Sequence, residues 1–356
     1  MTQLSQIYLV LLLLAVLPGC TTIGYYQQAI GGHLSLMWRA EPVGDRLADG
    51  TLDSALSEKL KTAQAARSFA AADLALPVGG AFSEYVPLDR PWVVVNLVAV
   101  PEFSLSPHQW CYPVVGCQAY RGYFQLEDAR EEQTTFDQQG YDTFLGAVTA
   151  YSTLGWFDDP LHTGFTDLPE DRMVALMFHE LAHRVVYVEN DTAFNESFAT
   201  AVELEGLRLW LAQRGDLEAF DRALRRLEHR EHTLALVQSA SADLASLYRQ
   251  QGDLDDAVVR QRKQAMLEAL ARDYAELSKQ FPEPGPLGVP PVTLNNARLA
   301  LFQQYYQHVP AFRQLFREQA EDFDAFYQAV IALSEQPPEV RSAALAELSE
   351  RFEEHF

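Results

Sequence analysis

Two histidines four residues apart, with a glutamate directly after the first, could bind a metal ion. They are His179 and His183, and the glutamate is Glu180. The apolar residues 173–178 before them contain no Gly or Pro, which predicts a buried helix. Residues i and i+4 share a helix face, so both imidazoles can reach one ion, while Glu180 projects about 100° away toward water. This spacing is typical of a catalytic zinc site.

A third ligand is predicted from the residues after this motif. Residues 184–188 are mostly apolar, 189–192 are polar, and 193–207 again show helical spacing of apolar residues, which predicts helix, loop, helix. The midpoint between His183 and Glu196 falls in the loop, so an antiparallel return brings Glu196 opposite His183. Three protein ligands leave the fourth tetrahedral position of a single Zn²⁺ to water, as in catalytic sites.

Other carboxylates could serve as the third ligand, and these are Glu189, Asp191 and Glu203. A longer motif with a third histidine six residues on does not fit, because Glu189 stands there and Val186 replaces its glycine. Glu203, seven residues after Glu196, shares its helix face and could hold a ligand imidazole in place. A solvated carboxylate is the alternative for Glu203. Asn195 is the other residue expected to support the ligands.

The predicted chemistry is amide hydrolysis. Glu180 would take a proton from a zinc-bound water, and the hydroxide would attack a carbonyl polarised by the same ion. The oxyanion needs a second donor. We choose Tyr151, because it would end an edge strand at 146–151 that pairs with extended substrate. The other candidates for the donor are Arg121, Tyr123, Tyr187 and His162.

These motifs resemble a bacterial family of zinc aminopeptidases, small lipoproteins of the gluzincin type. The similarity lies in 178–183, Phe-His-Glu-Leu-Ala-His, and in 191–203. Similar stretches recur at 24–29, 119–124, 150–160 and 294–299, so nearly the whole mature chain is covered. The resemblance implies a zinc peptidase acting on peptide substrates. A carboxylate would hold the substrate's α-amine, and candidates are Glu203, Asp158 and Asp159, although the last two also fit a turn.

Two other function classes fit the same residues. One is a zinc endopeptidase or an amidase acting on cell-wall peptides. The other is a non-catalytic envelope lipoprotein whose acidic helices bind a partner around a structural zinc. Glu180 argues against the second class, because a structural site has no need of a base.

The N-terminal segment predicts export. Residues 7–17 form an apolar run too short to span a bilayer, as in a signal peptide. Leu-Pro-Gly precedes Cys20, which resembles a lipobox and predicts removal of 1–19 and acylation of Cys20. An ordinary signal peptide is the alternative, since no Lys or Arg precedes Cys20. Thr21, by analogy with other bacterial lipoproteins, favours lipid anchoring in the outer membrane, facing the periplasm of a Gram-negative bacterium.

Cysteine usage and charge agree with this location. Cys111 and Cys117 bracket a turn with Pro and Gly, and an oxidising periplasm favours a disulfide between them over free or metal-binding thiols. The formal charge of −22 lies entirely after Cys20. Such a chain will not bind nucleic acid through phosphates, and an anionic membrane surface would repel it. Membrane attachment is therefore assigned to the lipid.

The predicted fold is α+β and predominantly helical. A zincin-like catalytic region, 20–205, contains a small mixed sheet beside the zinc helix, and a helical bundle, 206–356, packs on it. Residues 25–75 are predicted helix-rich, and 126–140 helix or irregular turn. The predicted strands are 92–100, 121–124 and 143–148.

The C-terminal bundle is predicted to contain helices at 217–251, 254–281 and 299–335. The Pro- and Gly-rich segment 282–291 is expected to be a surface loop with ordered asparagines after it; a loop over the cleft is the alternative. Solvated surface positions are expected for the histidines His229, His232, His308 and His355.

Overall fold

The computed structural model describes residues 20–112, 116–150, 158–303 and 308–352. The predicted signal segment 1–19, Tyr151 and His355 lie outside these ranges. Helices make up 61% and strands 12% of the structure, which confirms the predominantly helical α+β class. No helix among the described residues is long and apolar enough to cross a membrane.

Three helices occupy the N-terminal part. The third has a side-chain cap, since the Asp53 carboxylate accepts a hydrogen bond from the Leu56 amide at 2.9 Å. Its buried face, which includes Leu60 and Phe69, belongs to the main core. The three helices are α1 (Cys20–Arg39), α2 (Val43–Asp49) and α3 (Ser54–Ala72).

The strands form three small sheets instead of one. Strands β1 (Glu41–Pro42), β2 (Glu84–Val86) and β8 (Leu161–His162) pair in that order, β1 antiparallel and β8 parallel to β2. A hairpin joins β4 (Trp110–Tyr112) to β5 (Gly116–Gln118).

The predicted strands form an antiparallel sheet in the order β6, β3, β7. The central strand β3 (Val94–Pro101) lies between β6 (Arg121–Tyr123) and β7 (Tyr141–Val148). Helix α4 (Leu126–Gln138) and helix α10 (Asn296–Gln303) both pack on β3. Burial on both faces explains why β3 is apolar without alternation. Strand β7 is an edge strand and overlaps the predicted edge strand 146–151 at residues 146–148. Residues 149 and 150 are not in a strand, and residue 151 is outside the described ranges.

The metal motif lies in a helical hairpin. After the short helix α5 (Thr163–Thr166), helix α6 (Glu170–Ala182) runs to the second histidine, and α7 (Thr192–Arg214) returns against it. Helices α3, α6 and α8 (Leu217–Tyr248) all pack on α7. The antiparallel helix-loop-helix prediction is therefore correct.

Five further helices follow α8. Helix α9 (Asp256–Ser278) pairs with α8, close to prediction. The prediction of a single helix at 299–335 is wrong, because α10, α11 and α12 occupy this range. Helix α11 has Pro310 in its first turn, a common start signal. The remaining helices are α11 (Val309–Glu318), α12 (Phe323–Ser334) and α13 (Pro338–Arg351).

One hydrophobic core runs through both predicted regions. It contains residues from Val43 in α2 to Leu348 in α13, including the fully buried Phe198 and Phe312. The boundary predicted after Glu205 falls inside α7, which continues to Arg214. The α6–α7 hairpin is thus enclosed by helices from both ends of the chain.

The segment 282–291 packs on α8 and α9. Leu287 is buried, and the Tyr274 hydroxyl donates to the Gly288 carbonyl at 2.7 Å. Asn296 is fully buried and accepts from the Tyr248 hydroxyl at 2.9 Å. Residues 282–291 are thus an ordered loop with ordered asparagines after it.

Two histidine predictions are wrong. His229 is buried and stacks on Phe281, with ring centroids 4.2 Å apart. His308 is half-buried, and its backbone amide donates to the Ser197 hydroxyl. The charged neighbours of His229 along the sequence concealed a face of α8 that packs against α9. His232 is exposed, as predicted.

Candidate metal centre

Three side chains from α6, its C-cap and α7 converge at one point. His179 lies in the last turn of α6, His183 is its C-cap, and Glu196 lies in the first turns of α7. Their ligand atoms all lie within 4.8 Å of one another. The group is brought together by i, i+4 spacing on α6 and by the tight antiparallel return.

The distances between the donor atoms suit a small tetrahedral cation. Glu196 Oε2 lies 3.3 Å from His179 Nε2 and 3.9 Å from His183 Nε2. Bonds of about 2.0–2.1 Å in a tetrahedral zinc site separate donors by about 3.3 Å, so small side-chain adjustments would complete it. Two imidazoles and one carboxylate are also donors that Zn²⁺ accepts.

Glu203 holds the ring of His179. Its Oε2 lies 3.1 Å from Nδ1 of His179, on the opposite side of the ring from Glu196. Burial alone would lower the pKa of His179, but the hydrogen bonds to Glu196 and Glu203 outweigh burial and raise it. Glu203 thus fixes the orientation in which Nε2 faces the other ligand atoms.

The other two ligands are held in the forms that bind metal. Burial lowers the pKa of His183 to about 4, so its imidazole is neutral near pH 7. Burial would raise the pKa of Glu196, yet the hydrogen bond from His179 and the two histidines together lower it. Neutral imidazole and ionised carboxylate are the ligand states that a metal ion requires.

Glu180 has the properties of a general base. Burial, with added repulsion from Glu196 and Asp159, raises its pKa to about 7, against the opposing effect of His179. A base with a pKa near the working pH transfers protons efficiently in both directions. Glu180 lies outside the group of converging ligand atoms.

The rival third ligands have other roles. Asp191 caps α7 by accepting from the Phe194 amide at 3.1 Å, and its second oxygen accepts from Arg341 at 2.7 Å. Glu189 is exposed. Asn195 contacts the preceding loop, exchanging two 2.8 Å hydrogen bonds with the backbone of Val188. It thereby fixes the start of the helix that carries Glu196.

The loop between the metal helices is also held by the disulfide hairpin. Cys111 and Cys117 are joined, and the Cys117 amide donates to Asn190 Oδ1 at 3.0 Å. Gly116 has φ +70°, and a Cβ there would lie 2.7 Å from side-chain oxygens of Asn190 and Glu189. The left-handed φ favours glycine at this position.

Comparison with known protein families gives one match. Residues 24–345 match the model of the family described as "Putative aminopeptidase". The chain belongs to this family. No curated protein and no solved structure matches it. Membership supports a peptidase in general terms and agrees with the resemblance drawn from the sequence.

Most candidates for the oxyanion donor form contacts with other parts of the protein. Arg121 donates to Glu132 at 2.9 Å. Tyr123 is buried among aromatic rings, and His162 Nδ1 accepts from the Gly164 amide. Tyr187 is 37% exposed, and its hydroxyl accepts from Gln118. Tyr151 lies outside the described residues.

Sequence reasoning missed Tyr120. It is half-buried, and burial followed by the charges of Glu196 and Glu180 raises its pKa well above the ordinary value. The phenol therefore interacts electrostatically with both carboxylates and keeps its proton at neutral pH. Its place directly before Arg121, in one of the stretches typical of the family, was the available signal.

The two aspartates at 158 and 159 have different surroundings. Asp158 accepts from the Gly80 amide at 3.0 Å and pairs with Arg184 at 3.3 Å, so it ties two loops together. Asp159 is buried, and its charge helps to raise the pKa of Glu180. Asp159 therefore interacts electrostatically with Glu180.

Proposed function

We propose that this protein is a zinc-dependent aminopeptidase that hydrolyses peptide bonds with Glu180 as general base. The convergence of two imidazoles and one carboxylate within 4.8 Å carries the proposal. The adjacent half-buried glutamate with a pKa of about 7 supports catalysis over a structural role.

The side chains divide the work. His179, His183 and Glu196 would hold the ion, which when bound polarises the substrate carbonyl and acidifies water. Glu180 removes a proton from the attacking water and returns it to the amine that leaves. Glu203 keeps His179 oriented throughout.

We assign the oxyanion donor to Tyr120. A phenol that stays protonated near Glu196 and Glu180 can donate to the oxygen on which charge develops. The variant Tyr120→Phe should lower kcat by about a hundredfold or more, with little change in KM. The variant Tyr187→Phe, which removes a more exposed hydroxyl nearby, is the control. An unchanged kcat in Tyr120→Phe would exclude this role.

Asp159 is the candidate for holding the free α-amine. It is a buried carboxylate whose charge acts on Glu180. The variant Asp159→Asn should raise the KM for substrates with a free amino terminus and leave the hydrolysis of N-blocked peptides unaffected. A large fall in the activity toward both would indicate a structural role instead.

The general base is tested with Glu180→Gln. We expect zinc to be retained and kcat/KM on amino-acid anilides to fall about a thousandfold. Glu189→Gln, an exposed carboxylate of the adjoining loop, is the matched control and should keep full activity. Full activity in Glu180→Gln would disprove the mechanism.

Substrate class is tested separately. Hydrolysis of free peptides is compared with that of N-blocked and internally quenched peptides of the same sequence. Preference for the free amino terminus supports the aminopeptidase. Cleavage of blocked peptides at least as fast would favour an endopeptidase or amidase and exclude the exopeptidase assignment.

A further inference from the structure

Helix α1 has one face bound to the protein body. Tyr25 packs against the ring of Tyr123, with centroids 5.7 Å apart. Gln28 accepts from the Phe124 amide and donates to the Gly122 carbonyl, and Leu36 is buried. At Gly32 a Cβ would lie 2.2 Å from the ring of Phe124, so the helix is in direct contact there. These contacts fix which side of α1 faces inward.

The opposite face of α1 carries large apolar side chains in water. Ile30, Leu34 and Trp38 are 57%, 38% and 83% exposed. At 100° per residue their mean direction lies roughly 180° from the docked face. They occupy three successive turns and form a continuous stripe, which we call the α1 stripe.

No other described element has such a group. The remaining large exposed hydrophobic residues are single and lie on separate elements: Tyr187, Val258, Val289 and Val340. Isolated apolar residues are normal on a protein surface, whereas a continuous group marks a binding surface.

The charge of α1 suits a lipid surface. The chain has 49 acidic residues and a net charge of −22, yet Cys20–Arg39 contains no Asp or Glu. The only Lys or Arg in the helix is Arg39, directly after Trp38. Trp flanked by a basic residue is typical of side chains at the headgroup level of a bilayer.

The position of the stripe in the chain also favours contact with a lipid surface. Cys20, the predicted acylated residue, is the first residue of α1, and the stripe begins ten residues later on the same helix. A helix of 20 residues is about 30 Å long. With its other face docked on the protein, α1 can contact a bilayer along its second half, where the stripe lies.

We propose that the α1 stripe lies on the surface of a zwitterionic bilayer and forms a second membrane contact beyond the predicted lipid. The surface fits uncharged lipid headgroups because the body of the protein is strongly acidic. The contact would fix the orientation of the protein relative to the membrane, which a flexible lipid anchor alone does not.

The experiment measures how far brominated acyl chains quench the fluorescence of Trp38 when the full chain is bound to phosphatidylcholine vesicles. Emission lost on bromination is compared between the wild type and Trp38→Phe. We expect most of the bromine-dependent quenching to disappear in Trp38→Phe. Trp92→Phe is the control, because Trp92 lies under the guanidinium of Arg90 on another element, and it should retain the quenching.

A second variant keeps the reporter and changes its neighbours. Ile30→Ser with Leu34→Ser should lose the quenching of Trp38, whereas Val289→Ser with Val340→Ser, two scattered exposed valines, should not. Wild-type Trp38 that is not quenched would overturn the proposal. So would a concentration-dependent dimer that only the α1 variant dissociates, since the stripe would then bind a second copy of the chain.

Discussion

Helix α7 carries buried carboxylates with two kinds of partner. Glu205 lies 2.8 Å from both Arg313 and Arg208, so two guanidinium groups neutralise it. Glu196 and Glu203, nine and two residues before Glu205, instead face the imidazole of His179. The helix is the same, with Glu205 buried and Glu196 and Glu203 half-buried, but the compensating charge differs.

The difference separates a structural ion pair from a reactive site. Arg is always charged and satisfies Glu205 with fixed hydrogen bonds, so that cluster is complete within the protein. Imidazoles can lose a proton and bind metals, so the Glu196 cluster can exchange a proton for a cation. The following changes test this division along α7.

The largest effect is expected at the metal ligand. Glu196→Ala should lower zinc affinity by more than about a hundredfold, because residues that only orient ligands are already worth 10- to 100-fold. Activity should be lost with it. Metal content after dialysis and circular dichroism give the readouts, and a folded variant with stoichiometric zinc would show that Glu196 is not a ligand.

The next effect is expected at the ion pair. Arg313→Met leaves Glu205 buried with one partner and should lower the free energy of unfolding by about 3 kcal/mol. Adding Glu205→Leu should restore most of it, since an apolar pair of similar size can replace a buried ion pair. Zinc affinity should stay unchanged in both. Denaturant titration measures the free energy of unfolding, and zinc titration measures the affinity. A loss of zinc affinity in either variant would contradict the separation of the ion pair from the metal site.

Glu203 should give a smaller change. Glu203→Gln keeps the shape but weakens the acceptor for His179, so zinc affinity should fall about 10- to 100-fold. The unfolding free energy should change little. An affinity equal to the wild type in competition with a chelator would indicate that Glu203 does not orient the ligand.

The smallest effect concerns pH. Burial raises the pKa of Glu205, but Arg313 and Arg208 outweigh it and the pKa is lowered. Its stabilising contribution is therefore present above the unfolded pKa of Glu, about 4.3, and is lost as the pH falls through the folded pKa. Unfolding curves of the wild type and Glu205→Gln should differ at neutral pH and converge in acid. Curves that stay parallel would contradict the assignment.

The sequence predicted the parts of the site that depend on local geometry. His179 and His183 share a face by spacing alone, and the short polar loop returns Glu196 to them. Asp159 was among the candidates for the α-amine, but the sequence alone did not separate it from Asp158. Tyr120 escaped prediction because no local spacing relates it to α6, which begins 50 residues later in the sequence. The same holds for the Glu205–Arg313 pair, whose members are 108 residues apart.

For the fold, long periodic segments were predictable and helix breaks were less so. Strand β3 and helices α6 to α9 follow their apolar patterns closely. The break at Ala320 and Glu321, both with positive φ, carried no Gly or Pro and was missed. His229 was misplaced because its aromatic neighbours, Tyr274 and Phe281, lie 45 and 52 residues later in the sequence.

The loop between α6 and α7 is held by contacts from both sides of the sequence, which has a consequence for the order of events during synthesis. Asn190 binds Cys117, 73 residues earlier, while Asp191 binds Arg341, 150 residues later. Both histidines and Glu196 are made long before α13 exists. We expect the ligand geometry to mature only when the last helix has been synthesised and docked. A chain that ends before Pro338 should therefore retain zinc poorly, even where α6 and α7 are helical.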